Sequence, residues 1–164
     1  MSTTVRRNRG FTLVELMATL VVAGILVTVA VPALGTLIEN QRIKTASFDL
    51  YSALSYARSE AVKRNGNIVL AAGASSGGSW SSGWRVVDGS NTVLRSWSGV
   101  PSSLAVSELG SATTITFTRD GRPPVGSAQA RFQLGASDST RTVASRCIQV
   151  DLSGRPSTQA GGCS

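Results

Sequence analysis

The chain contains no histidine in its 164 residues. That removes the commonest general base and the commonest metal ligand. Cysteine is nearly as scarce, with only Cys147 and Cys163, both near the carboxyl end. A metal held by two cysteines without histidine would need unusual carboxylate help, so a disulfide is the better reading than a metal site or two free thiols. A disulfide in turn implies an oxidising compartment. No Ser/Lys pair and no paired carboxylates stand at a spacing suited to catalysis, so no residue is assigned to catalysis, to a metal or to a cofactor. Aromatic residues are few, at 5%. Internal repeats and a long disordered tail are also missing. What fills the space is glycine, serine and threonine, which points to a small β-rich region with many turns. The length suits one domain better than two.

Acidic residues are scarce too, nine against sixteen basic ones, which leaves a net charge of +7. Three of the basic residues, Arg6, Arg7 and Arg9, precede a dense apolar block. Without them the surplus falls to +4. The whole-chain charge therefore overstates any attraction to nucleic acid.

Charge is absent altogether from Leu16 to Ile38. As one helix those residues would span about 35 Å, enough for a bilayer core about 30 Å thick. The arginines ahead of the block place the amino terminus in the cytoplasm and the carboxyl end outside. An ordinary secretory signal is the competing reading, with Ala30-Val31-Pro32-Ala33 as a loose cleavage site. Two features oppose it. The apolar run is too long, and it continues into Ile43, Ala46, Leu50, Leu54, Ala57 and Ala61, spaced by three or four as one face of a helix. Glu15 lies inside the apolar region, where a carboxylate costs about 2.5–3.5 kcal/mol on insertion scales. Its position near the start leaves snorkelling to the interface as a second account of it.

The segment Arg9-Gly10-Phe11-Thr12-Leu13-Val14-Glu15-Leu16 resembles the type III signal of type IV pilins and type II secretion pseudopilins. The resemblance implies a cut between Gly10 and Phe11 by a prepilin peptidase, which then methylates the amine of Phe11. It also implies that Glu15 pairs with the terminal amine of a neighbouring subunit during assembly. Pairing two charges in a low-dielectric medium offsets the cost of burying either alone. Pro32 removes a backbone hydrogen bond inside the run, giving either a kink or, as in similar pilins, a place where the helix can melt.

Asn65-Gly66 is a natural carboxyl cap after Arg64. Beyond it, strands are predicted at Ile68 to Ala72, Trp84 to Val87, Thr92 to Arg95, Thr113 to Thr118, Arg131 to Leu134 and Cys147 to Leu152. Ser75 to Gly83 reads as a loop around Trp80, and Asp88 to Asn91 as a hairpin turn. Trp80, Trp84 and Trp97 read as packing residues.

The runs Ala57-Arg58-Ser59-Glu60-Ala61, Gly83-Trp84-Arg85-Val86, Asp120-Gly121-Arg122 and Gly154-Arg155 together resemble the GspH/FimT group of minor pilins and minor pseudopilins. The first of them leans toward the FimT side. The resemblance implies an α+β, type IV pilin-like fold: a long amino-terminal helix packed on a small antiparallel β-sheet head. The expected organisation is a leader over 1–10, a transmembrane and filament-core helix over 11–38, its amphipathic continuation over 39–65, and a periplasmic head over 66–164. Expected partners are other pilins, the prepilin peptidase/N-methyltransferase, an inner-membrane assembly platform and the lipid bilayer. Some FimT proteins bind DNA in natural transformation through a Gly-Arg-x-Arg motif. Here Gly154-Arg155-Pro156-Ser157 keeps one arginine of the two. Arg119, Arg122, Arg146 and Arg155 are the candidates for weak, non-specific contacts to double-stranded DNA. Arg131 and Arg141 complete the carboxyl-terminal set, and a scattered wet surface is the commoner fate of such residues.

Overall fold

A computed structural model describes residues 11–73, 78–138 and 143–163, except the side chains of Val29, Val31, Pro32 and Ala33. The predicted leader over 1–10, part of the loop around Trp80, and Arg141 lie outside the described residues. The chain divides into two compact units, Met1–Leu37 and Ile38–Ser164.

One helix, α1, runs over Leu13–Arg64. Its part in the second unit carries a buried stripe of Ile43, Ala46, Leu50, Ala53, Leu54, Ala57 and Ala61. These recur at steps of three and four, so they share one face. Four of the seven are alanine, so most side chains on this face are short. The helix ends in a Schellman-type cap. Gly66 N–H donates to the Ala61 carbonyl at 3.2 Å and Asn65 N–H to the Val62 carbonyl at 3.3 Å. Asn65 takes the left-handed conformation, φ 50°, which asparagine tolerates better than most residues.

Among the described residues eight antiparallel strands follow: β1 Ile68–Ala72, β2 Gly83–Asp88, β3 Val93–Ser98, β4 Leu104–Glu108, β5 Thr114–Phe117, β6 Ala130–Ala136, β7 Arg146–Val150 and β8 Pro156–Ala160. The sequence predicts one small sheet, whereas the structure has two of four strands, ordered β3-β2-β1-β5 and β4-β6-β7-β8. β4 and β8 form where no strand is predicted. Alternation is clean on β6, where Ala130, Phe132 and Leu134 are buried and the residues between are not. The helix stripe, Leu70, Trp84, Val86 and Phe117 of the first sheet, and Phe132, Leu134, Ile148 and Val150 of the second make one apolar core.

The short 3₁₀ turn Trp80–Ser82 ties the two sheets together. Trp80 packs edge-on against Phe132, ring centroids 4.8 Å apart, and its indole N–H donates to the Ala112 carbonyl at 2.8 Å. Ser81 Oγ accepts from Val106 N–H at 2.9 Å. The β2–β3 hairpin closes on Asp88, whose carboxylate accepts from the backbone N–H groups of Ser90 and Thr92 at 3.0 and 2.9 Å.

Two glycine turns settle the carboxyl-terminal region on the helix. Gly121 and Gly154 both have positive φ, 70° and 78°. A Cβ on Gly121 would press on Val62 and Arg58 of α1, and a Cβ on Gly154 would run into the Gly121 carbonyl. Gly154→Ala is therefore expected to cost at least about 3 kcal/mol, because a backbone group must move. Gly161→Ala, at φ 96° with open space around it, should cost only about 1 kcal/mol from its conformation. Denaturant unfolding of the disulfide-intact protein measures both; equal losses would refute the close-packing account.

Candidate assembly site and head grooves

The amino-terminal site begins with a helix cap. Thr12 Oγ1 accepts the backbone N–H of Glu15 at 3.2 Å, and the Thr12 carbonyl accepts the first helical bond, from Leu16 N–H at 3.1 Å. Thr12-x-x-Glu15 thus has the residues and spacing of a capping box. Glu15 stands in the first turn, where the helix dipole favours a negative charge. Its side chain is exposed. Phe11, just before the cap, is 79% exposed. Gly10, the other half of the expected cleavage site, lies outside the described residues.

The helix around Glu15 has no polar face. Leu13, Leu16, Leu20, Val21, Ile25 and Leu26 are all exposed, and they lie on every side of the helix. Thr19 and Thr28 turn their hydroxyls inward, donating to the carbonyls of Leu16 and Ile25 at 2.8 and 2.7 Å. Among the described residues no helix is long and apolar enough to cross a membrane. The uncharged run from Leu16 to Ile38 includes the four residues whose side chains are not described. Helix α1 is continuous past Pro32.

The carboxyl-terminal arginines separate into distinct places. Arg119 and Arg122 flank the Gly121 turn after β5. Arg131 is on β6. Arg146 opens β7 and lines a groove of about 540 Å³ with Lys44, Phe48, Tyr51 and Thr158. Arg155 lines a second groove of about 600 Å³ with Tyr51, Arg58, Val62, Lys63 and Pro156. The turn carrying Arg155 is built on Asp151. Its carboxylate accepts from the Ser153 hydroxyl at 2.6 Å and from Arg155 N–H at 2.9 Å. Cys147 and Cys163 form a disulfide with a Cα–Cα distance of 5.0 Å. Cys163 N–H also donates to Gln133 Oε1 at 2.8 Å.

Sequence reasoning did not single out Lys44, Tyr51, Arg58 or Lys63 as groove residues. A signal was present: positions 44, 48, 51, 55, 58 and 62 recur at steps of three and four, displaced by about one residue from the buried stripe. They form the flank of the same helix. What the sequence lacked was the neighbour of that flank, because β8 was not foreseen.

A model of the family described as type II transport protein GspH matches residues 46–154. A second, described as a prokaryotic N-terminal methylation motif, matches residues 5–31. Two crystal structures of the type IV minor pilin FimU from Pseudomonas aeruginosa (strain PAO1), in space groups P21 and P65, are similar to the chain. The first is 25% identical with a TM-score of 0.64, covering 78% of this chain and 99% of FimU. The second is 25% identical with a TM-score of 0.60, covering 74% and 99%. No curated protein matches the chain. Fold and motif together define the type IV pilin-like class of α+β protein, whose members here are structural subunits and not enzymes. Within that class, the chain belongs to the GspH family and carries the methylation motif.

The Ser153 hydroxyl, and after it the Arg155 N–H, holds the Asp151 carboxyl below the ordinary aspartate range. A depressed folded pKa means that the folded state binds this proton less readily than the unfolded chain. Its stabilising effect is therefore full above the unfolded pKa and is lost as pH falls through the folded one. The melting midpoint should drop below about pH 4. Asp151→Asn should melt lower at neutral pH and show a smaller acid drop. Circular-dichroism melts across a pH series check this; an undiminished drop would clear Asp151 of the role.

Proposed function

We propose that the chain is a minor pilin or pseudopilin that helps assemble or prime a type IV pilus or a type II secretion pseudopilus. A prepilin peptidase cuts between Gly10 and Phe11 and methylates Phe11. The segment from Phe11 to Ile38 holds the subunit in the bacterial inner membrane, with its head in the periplasm, until an assembly platform passes it to a filament. Glu15 then pairs with the terminal amine of an adjacent subunit.

The observation that carries this reading is an exposed carboxylate within an apolar helix surface. Phe11, Leu13, Val14, Leu16 and Met17 around Glu15 are each more than half exposed. Water is a poor neighbour for that surface, at roughly 25 cal/mol per Å² of apolar area. Lipid or the apolar helices of other subunits would cover it. A lone carboxylate in such surroundings needs a cation, and an amine freed at Phe11 lies at the same helix end. The methylation motif over 5–31 supports the processing step. FimU is a type IV minor pilin and the family model carries a type II transport description; the same device would serve either filament.

Capture of duplex DNA is less well supported as the main role. Arg146 and Arg155 line different grooves, and Ser157 stands where the DNA-binding motif has its second arginine.

Mass spectrometry of the mature protein from membranes should find an amino terminus at Phe11, carrying one added methyl group. A first residue near Ala33, or a retained leader, would sink the proposal. Glu15→Ala should still insert and be cut, but its share of sheared filaments should fall at least about tenfold, a coupling of a size ordinary for a desolvated charge pair.

A further inference from the structure

The head presents an open strand edge. Among the described residues, β8 ends its sheet and pairs only with β7. The phase of that ladder follows from its two ends, where Gly161 N–H donates to the Ser145 carbonyl and Asp151 N–H to the Arg155 carbonyl. Bonded pairs in an antiparallel ladder recur at every second residue. Ser157 and Gln159 therefore bond to β7, while Thr158 and Ala160 turn their N–H and C=O groups to the open side. No backbone bond from Thr158 or Ala160 occurs on that side among the described residues. Natural edges are usually blunted because such groups accept a further strand. Here Pro156 blunts only the first position.

Beside the edge lie the two grooves, and Tyr51 borders both. Thr158 lines one groove and Pro156 the other. These are residues two apart on one strand, so their side chains share a face, about 7 Å apart. A strand added to β8 would have the same repeat. Its alternate side chains would enter the two grooves in succession. One groove offers Lys44 and Arg146, the other Arg58, Lys63 and Arg155, and among the described residues no carboxylate lines either. Glu60, which holds Lys63 at 3.4 Å, is not among the lining residues.

We propose that β8 and these grooves receive an extended acidic segment of a partner polypeptide, added as a ninth strand with carboxylates at alternate positions. Backbone bonds to Thr158 and Ala160 set the direction and register of the strand, and the five cations select its side chains. The site uses the head alone and stands whether or not the cleavage and pairing roles of Phe11 and Glu15 hold.

The test uses the purified full chain and a short fluorescein-labelled peptide in which glutamate alternates with valine, read by fluorescence anisotropy. The peptide should bind, and its lysine counterpart should not. A version with the same charges but N-methylated at alternate backbone nitrogens cannot complete the ladder and should bind about tenfold more weakly or worse. Arg58→Ala with Arg155→Ala should weaken binding by about tenfold or more, while melting shows the head still folded. Thr158→Pro removes an outward N–H and should weaken binding of the unmodified peptide alone. No binding would overturn the proposal. Equal binding of the methylated peptide would also overturn it, since the surface would then be a simple ion exchanger. So would displacement of the peptide by duplex DNA at matched charge concentration, which would make the grooves a phosphate site.

Discussion

A helix with apolar side chains on every side cannot stand alone in water. Leu13, Val14, Leu16, Met17, Leu20, Val21 and Val22 are all exposed, and no rotation of the helix could bury them against a single neighbour. Such a surface needs a surrounding medium, either lipid or a ring of similar helices. Glu15 acquires its meaning from that setting. On a wet helix it would be an ordinary first-turn residue, favoured by the dipole and by its capping position after Thr12. In an apolar medium the same carboxylate demands a partner. The cap fixes where the helix starts, and so places Glu15 in its first turn.

The same helix changes character without a break. After Ile38 the buried apolar residues lie on one stripe, and most of the other positions are polar or charged. Alanine stands at 46, 53, 57 and 61 of that stripe, and Ile43, Leu50 and Leu54 supply its larger side chains to the core. Two turns leave no room beside the helix: a Cβ on Gly121 would press on Val62 and Arg58, and one on Gly154 would run into the Gly121 carbonyl. The helix flank, the turn after β5 and the turn before β8 are thus stacked by the absence of side chains. The runs around Arg58, Gly121 and Gly154 are far apart in sequence and adjacent in space for this reason.

Much of this was legible in the residues themselves. The step of three and four from Ile43 to Ala61 named the buried face, and Asn65-Gly66 marked the helix end because few other pairs accept its left-handed turn. Ile68 to Ala72 and Cys147 to Leu152 announced themselves as strands by their β-branched and apolar content, though the second ends at Val150. β8 did not. Pro156-Ser157-Thr158-Gln159-Ala160 has no apolar alternation and opens on a proline, and it is mostly exposed. Its extended form comes from pairing with β7 and not from its own preferences. β4 was obscured differently: Leu104-Ala105-Val106-Ser107-Glu108 alternates correctly, but it follows Pro101 and two serines and is only five residues long. Without β4 and β8, the division into two sheets was beyond reach. The grooves on the helix flank could not be foreseen either, since β8 forms one wall of each.

The disulfide connects these points. Cys147 sits in the fully buried middle of the second sheet, and Cys163 lies just past the end of β8. Closing a loop of this length is worth about 3 kcal/mol in the chain-entropy model. For a strand with little apolar surface of its own, that is a large share of what can hold it in place. The Cys163 N–H bond to Gln133 on β6 adds a second tie across the same sheet. Tethering the tail at both its ends, by the Asp151 turn and by the cystine, leaves the chain between them little choice but to lie along β7. Ser157 and Gln159 then face away from the helix, while Thr158 comes within 3.4 Å of Ser47 on it. A sequence that looks like a loop is thereby made into a sheet edge. The basic helix flank faces it because the glycine turns have already fixed where that helix lies.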